Sequence, residues 1–224
     1  MTIDTAHLEA HFRGALGVPV FLEASTGEDA PEDLAEGERR TLAGFGDTHR
    51  AASWLRGRKA LRALLARLAA CGAAPPDAES RDTTLLRFPH PMLSLTHTGD
   101  WAIAAGTLPE AAAGIGVDLE LRAHMREGAE RFFLGTEETR WLLALAPLDR
   151  DRERVRLWTV KEALFKANPG NEGTLLGHYL LDEPGARKGL ARWKAETTAG
   201  FVYASVLLAP GAVSLAVRPR AIPT

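Results

Sequence analysis

Little in this chain can form covalent cross-links, because Cys71 is the single cysteine among its 224 residues. An internal disulfide is thereby excluded, and so is a zinc site built on thiolates. Such economy of cysteine suits a reducing cytoplasm. A basic excess is also missing: Lys+Arg number 27 against Asp+Glu 29, a formal net charge of -2. A protein held chiefly by nucleic-acid phosphates is therefore excluded, and phosphate binding has to be local. Lysine itself is scarce, with Lys59, Lys161, Lys166, Lys188 and Lys194 making five of the 27 bases. No apolar run approaches the ~20 residues of a membrane span. The opening segment MTIDTAHLEAHFRGALG places acids and histidines ahead of any apolar stretch, the reverse of a secretory signal.

What is present is an ordinary globular balance, 46% hydrophobic and 25% charged. Gly and Pro divide it into short elements. Residues 18–24 read as a strand, and the stretch from Pro31, with Glu32 and Asp33 behind it, reads as an opening helical turn. From Ala51 to Ala70, Trp54, Leu61, Leu64, Leu65 and Leu68 mark an apolar helical face, while Arg50, Arg58 and Arg62 recur along a basic side. Gly72, Pro75 and Pro76 end that helix. Strands follow at 92–96, 101–108 and 115–121. Thr136 then reads as an N-cap before Glu137 and Glu138, a further helix runs from about Arg152 to Ala167, and FVYASVLL and AVSLAV close the chain as strands. This order predicts an α+β fold in two halves, 1–112 and 113–224, with the seam at residues 109–114.

Several familiar motifs fail on their spacing. His7 and His11 stand at i and i+4, but Leu8 occupies the place where a zinc protease needs glutamate. Gly114-Ile115-Gly116 lacks the third glycine of a dinucleotide loop, and Gly170-Asn171-Glu172-Gly173 lacks the Lys-Ser/Thr of a phosphate loop. The charged run from Arg187 to Lys194 reads as a solvated turn and strand end.

Three segments survive. In Gly116-Val117-Asp118-Leu119-Glu120, strand alternation sends Asp118 and Glu120 to one face and Val117 and Leu119 to the other. Two adjacent carboxylates repel each other and call for a cation, for which Mg²⁺ with its preference for oxygen ligands is a candidate, or else the pair is simply a wet strand face. In Trp158-Thr159-Val160-Lys161-Glu162-Ala163-Leu164-Phe165-Lys166, helical spacing aligns Trp158, Glu162 and Lys166. That row is either an amphipathic surface with a Glu162–Lys166 pair or a third carboxylate and a phosphate-binding lysine. In Ser94-Leu95-Thr96-His97-Thr98-Gly99, a histidine among hydroxyls can donate to phosphate oxygens or can simply be a satisfied structural residue.

In this order, together with Arg131-Phe132-Phe133, the three segments resemble the 4′-phosphopantetheinyl transferases, specifically the surfactin-synthetase and enterobactin type with two fused halves. The resemblance covers about residues 50–166. It implies a pseudo-dimer of two similar α+β halves, the N-terminal one contacting the nucleotide of coenzyme A and the C-terminal one carrying the metal and catalytic motifs. It further implies Asp118, Glu120 and Glu162 as Mg²⁺ ligands, Lys166 on the coenzyme A diphosphate, and His97 with Thr96 on the 3′-phosphate. Arg50 and Arg58 match the family's nucleotide-holding arginines, whereas Arg87-Phe88-Pro89 is shorter than the family's usual segment. The implied reaction moves phosphopantetheine from coenzyme A to a serine of an apo acyl or peptidyl carrier protein, with Glu162 and Lys166 catalytic and Mg²⁺ as cofactor. A cytoplasmic monomer in secondary metabolism is the accompanying expectation. Two other readings use the same residues: a Mg²⁺-dependent hydrolase of nucleotide diphosphates, and a carrier-protein binding module without catalysis.

Overall fold

The computed structural model describes residues 3–27, 34–75, 82–198 and 200–220. In chain order the elements are α1 (Thr5–Leu16), β1 (Phe21–Thr26), α2 (Glu36–Ala43), α3 (Thr48–Ala70), β2 (Leu93–Thr98), β3 (Trp101–Gly106), β4 (Ala112–Glu120), α4 (Thr136–Leu143), α5 (Pro147–Lys166), β5 (Tyr179–Leu181), β6 (Lys188–Trp193), β7 (Phe201–Leu207) and β8 (Ala212–Pro219). The strands form two antiparallel sheets, a three-stranded one ordered β1-β3-β2 and a five-stranded one ordered β4-β8-β7-β6-β5. The α+β expectation holds. The chain passes from the first sheet to the second between Gly106 and Ala112.

The two long helices each cover one sheet: α3 lies on β1, β2 and β3, and α5 lies on β4, β7 and β8. On the opposite face, α1 packs Leu8, Phe12 and Leu16 into a core that draws Leu22 and Ile103 from the small sheet and Ile115, Val117, Leu119, Leu215 and Val217 from the large one. One apolar layer therefore joins both sheets. Every second residue of β4 enters it, which sends Gly114, Gly116, Asp118 and Glu120 toward α5, as period-two alternation requires.

Element boundaries differ from expectation where caps decide them. Val18 and Val20 are buried but unpaired with the sheet; β1 begins at Phe21, opposite Gly106, after Pro19, which has no N–H to give. Helix α3 starts earlier than Ala51 because the Asp47 carboxylate accepts from the His49 and Arg50 amides at 2.8 and 3.4 Å. Thr136 is the first helical residue of α4 rather than its cap; Gly135 is the cap, and its amide donates to Glu138 at 2.7 Å. Helix α5 begins at Pro147, five residues before Arg152, with proline in the first turn where no amide is needed. Pro31, Glu32, Asp33 and Pro76 lie outside the described residues. His7 and His11 are exposed on α1. Among the described residues no helix is long and apolar enough to cross a membrane.

Candidate active site

Close approach of β4 to α5 builds the site. A Cβ at Gly114 would collide with the Ala167 carbonyl, and one at Gly116 with the Ala163 carbonyl. The two glycines that make no dinucleotide loop thus let a strand lie directly on a helix. At that distance Lys166, on the last turn of α5, reaches across. Its Nζ donates to Asp118 Oδ1 at 2.7 Å and to the Val117 carbonyl at 3.2 Å. Lys166 has its ion pair with Asp118 rather than Glu162, the partner that helical spacing alone would select.

The small sheet supplies the second wall. Strands β2 and β4 belong to different sheets, yet alternate hydroxyls of β2 bind β4 step by step. Ser94 Oγ accepts from the Val117 amide at 3.0 Å, Thr96 Oγ1 accepts from the Leu119 amide at 3.2 Å, Thr96 donates to Asp118 Oδ1 at 3.0 Å, and Thr98 donates to Glu120 Oε1 at 3.3 Å. Side chains here replace a backbone ladder, and the same bonds orient both carboxylates of β4. Thr96 is buried and its hydroxyl proton is held by Asp118.

Between the walls lies a cavity of about 660 Å³ lined by Asp118, Glu120 and Glu162 on one side and by Arg50, Arg58 and His97 on the other. Trp158 closes its floor from α5, fixed by an edge-to-face contact with Phe133 at 5.2 Å. A neighbouring cleft of about 300 Å³ shares Leu95 and His97 with the cavity and adds Phe88, Pro89, Leu93, Phe165 and Lys166. Every expected site residue except Thr96 therefore opens on one of two adjoining hollows. Arg62 is elsewhere, paired with buried Glu38. Arg87 is exposed and lines neither hollow.

Electrostatics divide this space into a cationic and an anionic part. His97 rests its Nδ1 on the Ser53 hydroxyl at 3.0 Å. Desolvation at the cavity wall, then the positive charges of Lys166, Arg56 and Arg58, lower its imidazole from 6.5 against the pull of Asp118. Arg58 holds the Thr83 carbonyl at 3.1 Å and stacks over Trp54, while Arg50 stands exposed over Phe45. Of these causes it is the positive charges, not the desolvation, that also favour an incoming polyanion. Opposite, burial raises the Glu162 carboxyl above 4.5; Lys166 opposes that rise and Asp118 adds to it.

Three residues gain roles that spacing did not indicate. Arg56 is buried and donates to the Gly99 carbonyl at 3.0 Å, clamping the turn after His97. Lys161 is fully buried and pairs with Glu138 at 2.5 Å, tying α5 to the start of α4 one residue before Glu162. Thr98 positions Glu120. The alternation of hydroxyls at Ser94, Thr96 and Thr98 was the visible signal for the last; nothing local marks the other two.

Oxygen donors from Asp118, Glu120 and Glu162 facing one cavity suit a hard divalent ion in chemistry; burial is the main cause of the raised Glu162 carboxyl, and only the smaller contribution from Asp118 is a repulsion that such an ion relieves. As they stand, however, no three His, Cys, Asp or Glu side chains among the described residues are gathered closely enough to hold a metal.

Comparison with known proteins bears on the second half of the chain. The family model described as the 4′-phosphopantetheinyl transferase superfamily matches residues 114–198. That span opens on β4 and contains all of α5, so it includes Asp118, Glu120, Glu162 and Lys166. A search of curated proteins returned no match.

Proposed function

We propose that the protein carries out the reaction which residues 114–198 indicate in general terms, in its full form: transfer of the 4′-phosphopantetheine group from coenzyme A to a serine hydroxyl of an apo carrier protein, releasing adenosine 3′,5′-bisphosphate. The observation that carries this reading is the Lys166–Asp118 contact at 2.7 Å, which sets a cation and a carboxylate side by side where an arginine- and histidine-lined cavity meets an apolar cleft. A substrate with a phosphorylated nucleoside at one end, a diphosphate at its middle and a pantetheine arm at the other has complementary chemistry. In this reading Arg50, Arg58 and His97 take the nucleotide phosphates, Lys166 takes the diphosphate, and Phe88, Pro89, Leu93 and Phe165 cover the arm.

In the transfer, the serine oxygen forms a bond to the β-phosphorus as the bond from that phosphorus to the bridging oxygen breaks, and the bisphosphate departs with the bridging oxygen. Positioning and charge neutralisation supply most of the acceleration in such a step. Glu162 accepts the serine proton. Lys166 holds negative charge on the phosphoryl oxygens. Thr96 and Thr98 keep the two strand carboxylates from rotating out of place. Asp118, Glu120 and Glu162 would hold Mg²⁺, which when bound supplies positive charge to the diphosphate. The two sheets, each with one long helix, support the reading of two fused halves in one chain, so that residues 1–112 bring nucleotide contacts to carboxylates in 113–224.

Intact-mass analysis of apo acyl- and peptidyl-carrier domains incubated with the protein, coenzyme A and Mg²⁺ tests the proposal. Gain of one phosphopantetheine, with adenosine 3′,5′-bisphosphate as co-product, is the expected result. Cleavage of coenzyme A without a carrier would identify a hydrolase, and carrier binding without modification would identify a binding module. Omitting Mg²⁺ should suppress loading.

A further inference from the structure

Apart from the two hollows already described, a third groove of about 320 Å³ lies where the segment after β4, the first turns of α5 and the β7–β8 hairpin meet. Leu148, Val155, Leu208 and Pro210 make it apolar, and Arg122 and Arg152 flank it. Leu148 is 76% exposed, the most exposed of the large apolar side chains described. The Arg122 side chain is 74% exposed, and its contact with Glu120, at 3.6 Å, is long for an ion pair. Arg152 is exposed and, among the described residues, makes no ion pair; its neighbour Asp151 is taken by Arg154 at 2.6 Å. An apolar slot between two accessible guanidinium groups is an unusual combination to leave in water.

Its position makes it relevant to the reaction. Arg122 also lines the main cavity, so the groove and the cavity share an edge. Residues Leu148, Arg152 and Val155 follow one another along α5 toward Trp158 and Glu162. At 1.5 Å per residue, Arg152 lies about 15 Å along the axis from Glu162, roughly three helical turns. A folded partner seated on the groove can therefore present a side chain to the cavity without entering it.

From this we infer that the groove docks the carrier protein, through a segment that offers one apolar side chain to Leu148 and Val155 and flanking carboxylates to Arg122 and Arg152. The inference rests on the transferase reading above and adds to it the surface that selects the protein substrate. Charge complementarity commits the occupant to an acidic amphipathic segment; a basic segment would face two uncompensated arginines. Docking through this groove acts on recognition of the carrier; Leu148 and Arg152 do not line the main cavity, so coenzyme A binding is left unaffected by changing them.

The test uses the full chain with Leu148→Glu, Leu148→Ser and Arg152→Glu, all at exposed positions. Three quantities are measured: KM for an apo carrier, kcat at saturating carrier, and coenzyme A affinity by calorimetry. Each charged variant should raise the carrier KM about tenfold, as loss of one central interface contact does, with coenzyme A affinity unchanged; Leu148→Ser should show a smaller rise. Reversal of one carrier carboxylate to lysine should restore loading by Arg152→Glu specifically. Unchanged carrier KM in all three variants, with wild-type protein loading the carrier, would overturn the docking surface alone. Failure of the wild-type protein to load any carrier would overturn the transferase reading and this inference with it.

Discussion

Thr96 Oγ1 stands 3.0 Å from Asp118 Oδ1 and donates to it while accepting the amide of Leu119 at 3.2 Å, so one buried hydroxyl of the small sheet holds both the backbone and the carboxylate of the large one. Lys166 donates to the same carboxylate oxygen at 2.7 Å. Asp118 is thus positioned by three elements at once, β2, β4 and α5.

This bridge predicts a separation between shape and hydrogen bonding. Thr96→Val keeps volume but leaves a buried amide without an acceptor, which costs about 1–3 kcal/mol. Its kcat should fall beyond what the lost stability explains, with KM for coenzyme A little changed. Thr96→Ser keeps the hydroxyl and should retain most activity. Equal rates for the valine and serine variants, measured alongside thermal unfolding, would remove the positioning role.

Glu162 and Lys166 should respond differently to loss of charge. Because burial raises the metal-free Glu162 carboxyl above 4.5, Mg²⁺ should bind more weakly as pH falls through that raised range, its affinity climbing with pH. Linkage has the opposite sign for the fold: an acid whose folded pKa is raised stabilises below its unfolded value and loses that contribution as pH rises through the folded one. Glu162→Gln should therefore lose turnover yet match or exceed wild-type stability at neutral pH. Lys166→Met should lower turnover with less effect on Mg²⁺ affinity. Loading at wild-type rate by either variant would return that residue to a surface role.

His97 should take up a proton when its ligand binds. The free imidazole is held below 6.5 by desolvation and by Lys166, Arg56 and Arg58. A phosphate placed against it reverses that bias, so coenzyme A binding near pH 6 should draw protons from the buffer. Calorimetry in two buffers of different ionisation enthalpy measures this directly. His97→Ala should abolish the uptake and weaken coenzyme A more than 3′-dephospho-coenzyme A; equal loss for both ligands would remove the 3′-phosphate assignment.

The strand–helix contact at Gly116 should be intolerant of even one methyl. Gly116→Ala drives its Cβ into the Ala163 carbonyl, so β4 or α5 must move. Overpacking of this kind costs about 1–3 kcal/mol. Displacement of β4 also disturbs the Lys166–Asp118 contact, so activity and thermal stability should decline together. Gly114→Ala, which meets the Ala167 carbonyl one step farther from the carboxylates, should lose stability with a smaller effect on turnover.

Local pattern determined much of this molecule. Alternation in β4 set Val117 and Leu119 against Asp118 and Glu120, and the structure keeps that division because one face of the strand is core and the other faces α5. The repeating apolar face of α3 and the order of helices and strands were equally legible, since hydrophobic period is a property of neighbours in the chain. The partners of the charges were not. Helical spacing offers Glu162 to Lys166, whereas the fold gives Lys166 to Asp118, 48 residues away, because two glycines bring β4 onto α5. The partner of the Thr96 hydroxyl is equally hidden in the sequence, because only the meeting of two sheets turns it toward Asp118. The buried charges of Arg56 and Lys161 were hidden for the same reason: what compensates a charge is decided by which distant backbone or carboxylate the fold brings to it, and a burial that costs several kcal/mol when unpaired has no signature in local sequence.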